Sequence, residues 1–189
     1  MSIRRAIVVV VWLFAQQLVA QIDYSPRFAR LLEEARLDFY EPLENTYRDI
    51  PVWKEAAEYQ PYDFAIRSRR DKLEIRYHIL PYQAQNWKFA APHVEAARLA
   101  MHLATNQDES IISGLSMEEE ELKNSFNADW GKIFIFQPKK SFSNRTHCKM
   151  LALYTEGKGM AIVYFLFDQP SQEVDNRFVV LRFRETEAN

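Results

Sequence analysis

The chain has 189 residues, 48% of them hydrophobic, with 13 Phe, 9 Tyr and 4 Trp. That is enough for one domain that buries a core without disulfides or a structural metal. The formal charge is −2, and residues 1–20 hold Arg4 and Arg5 and no acid, so the remainder is more acidic still; a net basic field of the kind that draws in nucleic acid is excluded.

The N-terminus reads as a targeting segment. Arg4 and Arg5 precede an unbroken apolar run over residues 6–15, and Gln16 and Gln17 lead on to Ala20. Basic, apolar, then short-polar is the layout of a cleavable export signal. The run is too short to cross a hydrocarbon layer of about 30 Å. The sequence thus predicts a signal peptide over 1–20, cut after Ala20, and a single α+β domain over 21–189. The mature protein is expected in the periplasm or outside the cell, with no stable membrane anchor after cleavage. Cys148 is the sole cysteine, so no internal disulfide can form, and its apolar neighbours favour burial.

Ser25-Pro26 supplies a cap and a first-turn proline, and Phe28, Leu31, Leu32, Ala35 and Phe39 repeat at helical spacing; a helix is predicted over 26–40. Residues 54–59 suit a further helical turn before Pro61. Residues 62–67 and 73–79 both alternate with period two and suit a hairpin, in which Phe64 faces Ile75, Tyr62 faces Tyr77 and Asp63 faces Arg76. One face of this hairpin is apolar. The other carries Asp63, Arg67, Glu74, Arg76 and His78.

A loop rich in Gln, Asn and aromatics, holding Tyr82, Trp87 and Phe89, leads to an alanine-rich helix over 93–104. Ser116 to Glu119 has the spacing of a capping box that opens another helix. The last third reads as sheet, with strands over 132–137, 150–155, 160–167 and 177–184. The Glu156-Gly157-Lys158-Gly159 turn joins the second and third. Those two are apolar on both faces and so are expected to be central, whereas the last suits an edge. The expected architecture is therefore α+β, a single domain with a mainly antiparallel sheet of about six strands, in the order α-ββ-αα-ββββ, and helices packed on one side. This order resembles the NTF2-like cone and the PsbP/Mog1-like sandwich in architecture alone, a likeness that implies no site.

Recognised catalytic patterns are missing from the sequence. His93-Val94-Glu95 begins like a zinc-protease motif, but Ala97 stands where the second histidine belongs, and His102 falls on another face of the helix. His147 and Cys148 are strand neighbours and should point to opposite faces. Four scattered histidines and one cysteine offer no metal-ligand spacing. Gly157-Lys158-Gly159 precedes a strand, whereas a phosphate cradle precedes a helix. No cofactor or metal is expected. Asn144-Arg145-Thr146 fits a glycosylation sequon in a eukaryotic secretory pathway.

Three groups could carry function. The polar row of Asp63, Arg67, Glu74, Arg76 and His78 joins acids, cations and a titratable imidazole on one sheet face. Arg67, Arg69, Arg70 and Lys72 crowd the hairpin tip, where they could hold a phosphate, a sulfated sugar or an acidic partner. Trp87 and Trp130, in or beside loops, could stack on a ligand. The sequence points to an exported, non-enzymatic binding or accessory module for a protein or small-molecule ligand. The competing reading is a small acid–base hydrolase or isomerase using Asp63, Glu74 and His78.

Overall fold

The computed structural model describes residues 22, 25–42, 46–52, 62–107 and 110–185. The expected export signal at 1–20 and the helical turn expected at 54–59 lie outside these residues. In chain order the elements are α1 (Pro26–Glu34), β1 (Leu37–Phe39), β2 (Tyr47–Asp49), β3 (Phe64–Ser68), β4 (Leu73–Pro81), α2 (Trp87–Ala90) and α3 (Pro92–Leu103). There follow β5 (Ser113–Ser116), α4 (Glu119–Glu121) with a π-helical turn (Leu122–Phe126), β6 (Trp130–Phe136), β7 (His147–Thr155), β8 (Gly159–Phe167), α5 (Gln172–Asn176) and β9 (Leu181–Phe183). This is the expected single α+β domain with an antiparallel sheet. Seven strands form the main sheet in the order β2-β3-β4-β8-β7-β6-β5, and β1 and β9 form a separate pair.

Helix α1 starts as the sequence implies: the Ser25 side chain accepts from the Phe28 N–H, and Pro26 occupies the first turn. It stops at Glu34 rather than at residue 40. Arg36 takes a left-handed conformation (φ 50°), which ends the helix, and Leu37 to Phe39 pair instead with Phe183 to Leu181. That pairing also claims part of the expected final strand. Only Leu181–Phe183 is extended, and it pairs with β1 rather than forming an edge of the main sheet. Arg184 closes this corner, its guanidinium reaching Asp38 at 2.9 Å and Glu33 at 2.8 Å.

The β3–β4 hairpin forms, but two residues out of the expected register. Phe64 pairs with Tyr77, Ala65 with Arg76, Ile66 with Ile75 and Arg67 with Glu74. The tip sets this register: the Asp71 N–H donates to the Ser68 hydroxyl at 3.1 Å, and Lys72 turns the chain with φ 52°. An even shift leaves every paired side chain of the two strands on its own face, so the division into an apolar and a polar face survives; Tyr62, ahead of β3, packs instead with Arg76 on the polar side. The β7–β8 turn needs its glycines. A Cβ at Gly159 (φ 129°) would lie 2.2 Å from the Leu80 carbonyl oxygen, a contact no other residue can make.

The expected capping box at Ser116 does not form. Ser116 is the last residue of β5, paired with Lys132, and the short α4 begins after Glu118 without a side-chain cap. Strand pairing takes Ser116 before a helix can use it.

Both faces of the main sheet are covered. On one, Phe28 and Leu32 of α1 join Leu37, Phe64, Ile66, Ile75, Tyr77, Val163, Phe165 and Phe183. Phe28 stacks on Phe64 with centroids 4.6 Å apart, and Phe39 meets Tyr77 edge-on at 5.3 Å. On the other, Ala96, Leu99 and Leu103 of α3 pack with Phe134, Cys148, Met150, Ile162 and Tyr164. The helical cover is thus divided between the faces, with α1 on one and α3 on the other. Every residue of β8 is buried, as its two-sided apolar pattern predicts, and each large apolar side chain so buried contributes about 2 kcal/mol.

Candidate functional site

The polar face of the β3–β4 hairpin lies under the second apolar layer, not in water, and its groups form two separate networks. In the first, Arg67 donates to Glu74 Oε2 through Nε (2.9 Å) and Nη2 (2.6 Å). Arg76 approaches Glu74 Oε1 through Nε (2.7 Å) and Nη2 (2.6 Å). The Arg76 Nη1 donates to the Phe142 carbonyl at 2.6 Å, and the guanidinium lies 4.7 Å from the ring centroids of both Tyr62 and Phe142. Glu74 and Arg76 are buried, whereas the Arg67 side chain is 45% exposed. Each Glu74 oxygen already faces a guanidinium, so this carboxylate has no free lone-pair direction from which to act as a base.

In the second network Asp63 accepts from the Ile79 N–H at 2.9 Å and from Arg27 at 3.1 Å, and its Oδ2 lies 3.0 Å from His78 Nδ1. Burial pushes the Asp63 carboxyl up, but the His78 hydrogen bond and charge, the Ile79 N–H and Arg27 outweigh it, and the net pKa lies below the usual value. Arg27 belongs to α1, so this network also pins the helix to the sheet. Glu74 and His78 are four residues apart on one strand, about 13 Å at the usual rise. The structure therefore joins Arg67 with Glu74 and Arg76, and Asp63 with His78, but it does not bring the two sets into one site.

The tryptophans stand apart from both. Trp87, 53% exposed, begins α2, beside the Tyr82–Phe89 ring contact at 5.2 Å. Trp130 opens β6 opposite Tyr154 and is half-buried against the second layer. An open depression beside Trp87 is lined by Gln83, Ala84, Gln85 and Asn86, which offers neither charge nor depth.

A different concavity lies at the outer edge of the sheet. Thr46, Arg48, Asp49, Ile50, Arg67 and Arg69 line a cleft of about 440 Å³ beside β2. Arg48 sits directly across from Arg67 in the β2–β3 ladder, and Arg69 begins the hairpin tip. Like charges placed opposite one another disfavour the bare pair. Glu74 relieves Arg67, but among the described residues neither Arg48 nor Arg69 has a carboxylate partner; Arg48 donates only to the Tyr47 carbonyl. Sequence reasoning found Arg67 and Arg69 but missed Thr46, Arg48, Asp49 and Ile50. Strand β2 has three residues between prolines, too few for alternation to register. Of the other tip cations, Arg70 lies 4.0 Å from Asp71 and is largely exposed, and neither it nor Lys72 lines the cleft.

Cys148 is fully buried, and burial pushes its thiol far above the usual value, which suppresses the thiolate a nucleophile needs. His147 turns to the opposite face and stacks on Phe167 at 5.5 Å. The Lys158 ammonium within the glycine turn donates to the Arg184 carbonyl. Among the described residues no three His, Cys, Asp or Glu side chains are placed to hold a metal, and no helix is long and apolar enough to cross a membrane. Compared with protein-family models, curated proteins and solved structures, the chain matches none.

Proposed function

We propose that this protein is an exported, non-enzymatic binding module that takes an oxyanion-bearing ligand in the arginine-lined cleft beside β2. One observation carries the reading. Three guanidiniums, from Arg48, Arg67 and Arg69, share one cleft, and two of them lack a carboxylate partner among the described residues. Arginine's planar fork suits phosphate, sulfate and carboxylate oxygens. The exposed Asp49 adds an acceptor to the same lining, whereas the Thr46 hydroxyl oxygen is buried, so a ligand carrying hydroxyls beside its anion, such as a sulfated or phosphorylated sugar, meets both cations and an acceptor. The net acidic charge of the chain leaves this cleft as a local attraction rather than part of a general basic surface.

The test is calorimetric titration of the mature protein with inorganic sulfate and with a sulfated disaccharide. Saturable binding that weakens at least ~10-fold in Arg48→Ala/Arg69→Ala, and falls with added salt, is expected from charge-assisted hydrogen bonds worth about 1.5–3 kcal/mol each. Equal binding by the parent and the double variant would overturn it. The exported state is tested separately by N-terminal sequencing. A product beginning at Gln21 in the export compartment is expected, and an unprocessed chain retained in the cytosol would overturn that part alone.

A second reading, a small acid–base enzyme, draws on the Asp63–His78 contact, which orients an imidazole through Nδ1 and leaves Nε2 as the reactive nitrogen. Glu74 does not assist there, since both its oxygens are committed to arginines. Hydrolysis of a panel of simple esters and glycosides that vanishes in His78→Gln would favour this reading over the first.

A further inference from the structure

At the end of the main sheet opposite the arginine cleft, β5 presents a different edge. All four of its residues are exposed, and its outer side pairs with no strand among the described residues. Edge strands are commonly blunted by lysine, proline or a covering element. Ser113, Gly114, Leu115 and Ser116 include no charge and no proline. The apolar side chains here are also exposed: Ile111 at 75%, Leu115 at 52%, and Ile112 and Ile135 at 37% each. Ser113 pairs with Ile135 and Leu115 with Ile133, so Leu115, Ile133 and Ile135 share one face and form an apolar shelf beside the open backbone edge. The Lys132 ammonium does not cover this shelf; it lies 5.6 Å from the Phe134 ring centroid on the opposite face.

Along the sequence, the charges on either side of β5 are all of one sign, and the neighbouring cation of β6, Lys132, lies against Gly114 on the face away from the shelf. Between Arg98 and Lys123 the sequence holds no lysine or arginine, and its acids are Asp108 and Glu109 before β5 and Glu118 to Glu121 after it. Glu118, Glu119, Glu120 and Glu121 are exposed, and none has a cationic partner among the described residues. The α4 helix they enter runs on into the π-helical turn to Phe126, and a helix N-terminus carries only about half a positive charge, which does not offset four adjacent carboxylates. A second copy of this chain, paired in parallel through β5, would set Glu118 to Glu121 against themselves, and paired antiparallel it would bring to them a stretch of sequence without lysine or arginine.

We infer that β5 is a docking edge for an extended segment of a partner protein, apolar at alternate residues and flanked on both sides by lysine or arginine. The segment adds an antiparallel or parallel eighth strand through its backbone, its apolar side chains rest on Leu115 and Ile135, and the cations at whichever end lies beside them meet Glu118 to Glu121. Backbone pairing supplies the binding, the shelf selects alternation, and the carboxylates select the flanks. Neither the cleft nor its ligand enters this inference, so either can fail alone.

The probe is a fluorescein-labelled peptide with a Val-Thr-Ile-Thr-Val core and two lysines at each end, followed by polarisation against the mature protein. The same core flanked by glutamates is the control. Saturable binding of the lysine-flanked peptide is expected, at least 10-fold tighter than the control and weakened with salt. Leu115→Lys should reduce it about 10-fold or more. Because Leu115 is half exposed, this variant is expected to keep its thermal transition, which is recorded alongside. Glu119→Lys/Glu120→Lys, which leaves the shelf untouched, should reduce or reverse the preference between the two peptides. Binding of neither peptide, or of both equally, would overturn the inference. So would a concentration-dependent dimer in sedimentation velocity that Leu115→Lys abolishes, since the edge would then belong to a second copy.

Discussion

Arg76 and Arg48 lie on the same face of one sheet, on strands separated only by β3, yet their surroundings differ in every respect that matters to a charge. Arg76 is buried, held by Glu74, the Phe142 carbonyl and two aromatic rings. Arg48 is exposed, faces a second arginine across the ladder, and has no carboxylate partner among the described residues. Arg67 stands between them and takes part in both settings. Both oxygens of Glu74 are taken by Arg67 and Arg76, and Asp49, although it lines the same cleft, forms no ion pair with Arg48 or Arg69 among the described residues. The outermost arginines are therefore left for something outside the fold. A saturated ion pair contributes to the specificity of the core, whereas an unsaturated cluster at an edge is free to bind.

The largest effect expected from this contrast is on stability. Glu74→Ala leaves Arg76 buried without its counter-charge and should cost about 3–5 kcal/mol in urea denaturation; a loss below 1 kcal/mol would show that water reaches Arg76. The comparison sharpens if both charges go together. Glu74→Leu/Arg76→Met should be far milder than Glu74→Ala, because paired removal strands no buried charge, and Arg67, already half exposed, can turn to solvent.

A smaller effect is expected at the Asp63 network. Asp63→Asn should destabilise by about 2 kcal/mol, the scale of a hydrogen bond to a charged group. The pH dependence has a definite sign. The folded-state pKa of Asp63 is depressed, so its stabilisation is present above the unfolded value of about 3.9 and is lost as pH falls through the folded value. The parent should lose stability on acidification below about pH 4 more steeply than Asp63→Asn, read from urea midpoints across an acid series.

The smallest effect belongs to the cleft. Arg48→Ala and Arg69→Ala should each change stability by less than about 0.5 kcal/mol, and Arg48→Ala should be neutral or stabilising because it removes a like-charge pair. The same substitutions should weaken binding of a sulfated sugar at least ~10-fold. A large stability loss with unchanged binding would turn the contrast between Arg76 and Arg48 upside down.

Local chemistry was legible wherever a pattern ran long enough. The Ser25-Pro26 start of α1, the alanine-rich α3, the β7–β8 pair and its glycine turn, and the burial of Cys148 all follow from spacing or composition. Short elements were not legible. Strands β1, β2 and β5 have three, three and four residues, fewer than two full alternations, and exist because a partner strand lies beside them. The Ser116 capping pattern was locally sound and lost to the pairing of β5 with β6. The same limit hid most of the candidate site, since Thr46, Arg48, Asp49 and Ile50 lie in or beside a strand with no pattern of its own.

By itself, then, the sequence determined an α+β domain, a hairpin with one apolar and one charged face, and a doubly apolar pair of strands at its centre. Those properties are periodic along the chain and survive even a two-residue slip in register. Only the tertiary structure decided what covers the charged face. Sequence periodicity records that Glu74, Arg76 and His78 point together, but not whether water or rings such as those of Tyr62 and Phe142, which flank Arg76, lie above them. Burial turned one part of that row into closed ion pairs, and the sheet edge left another part open. The difference arises because desolvation depends on neighbours distant in the chain, and those neighbours are chosen by packing.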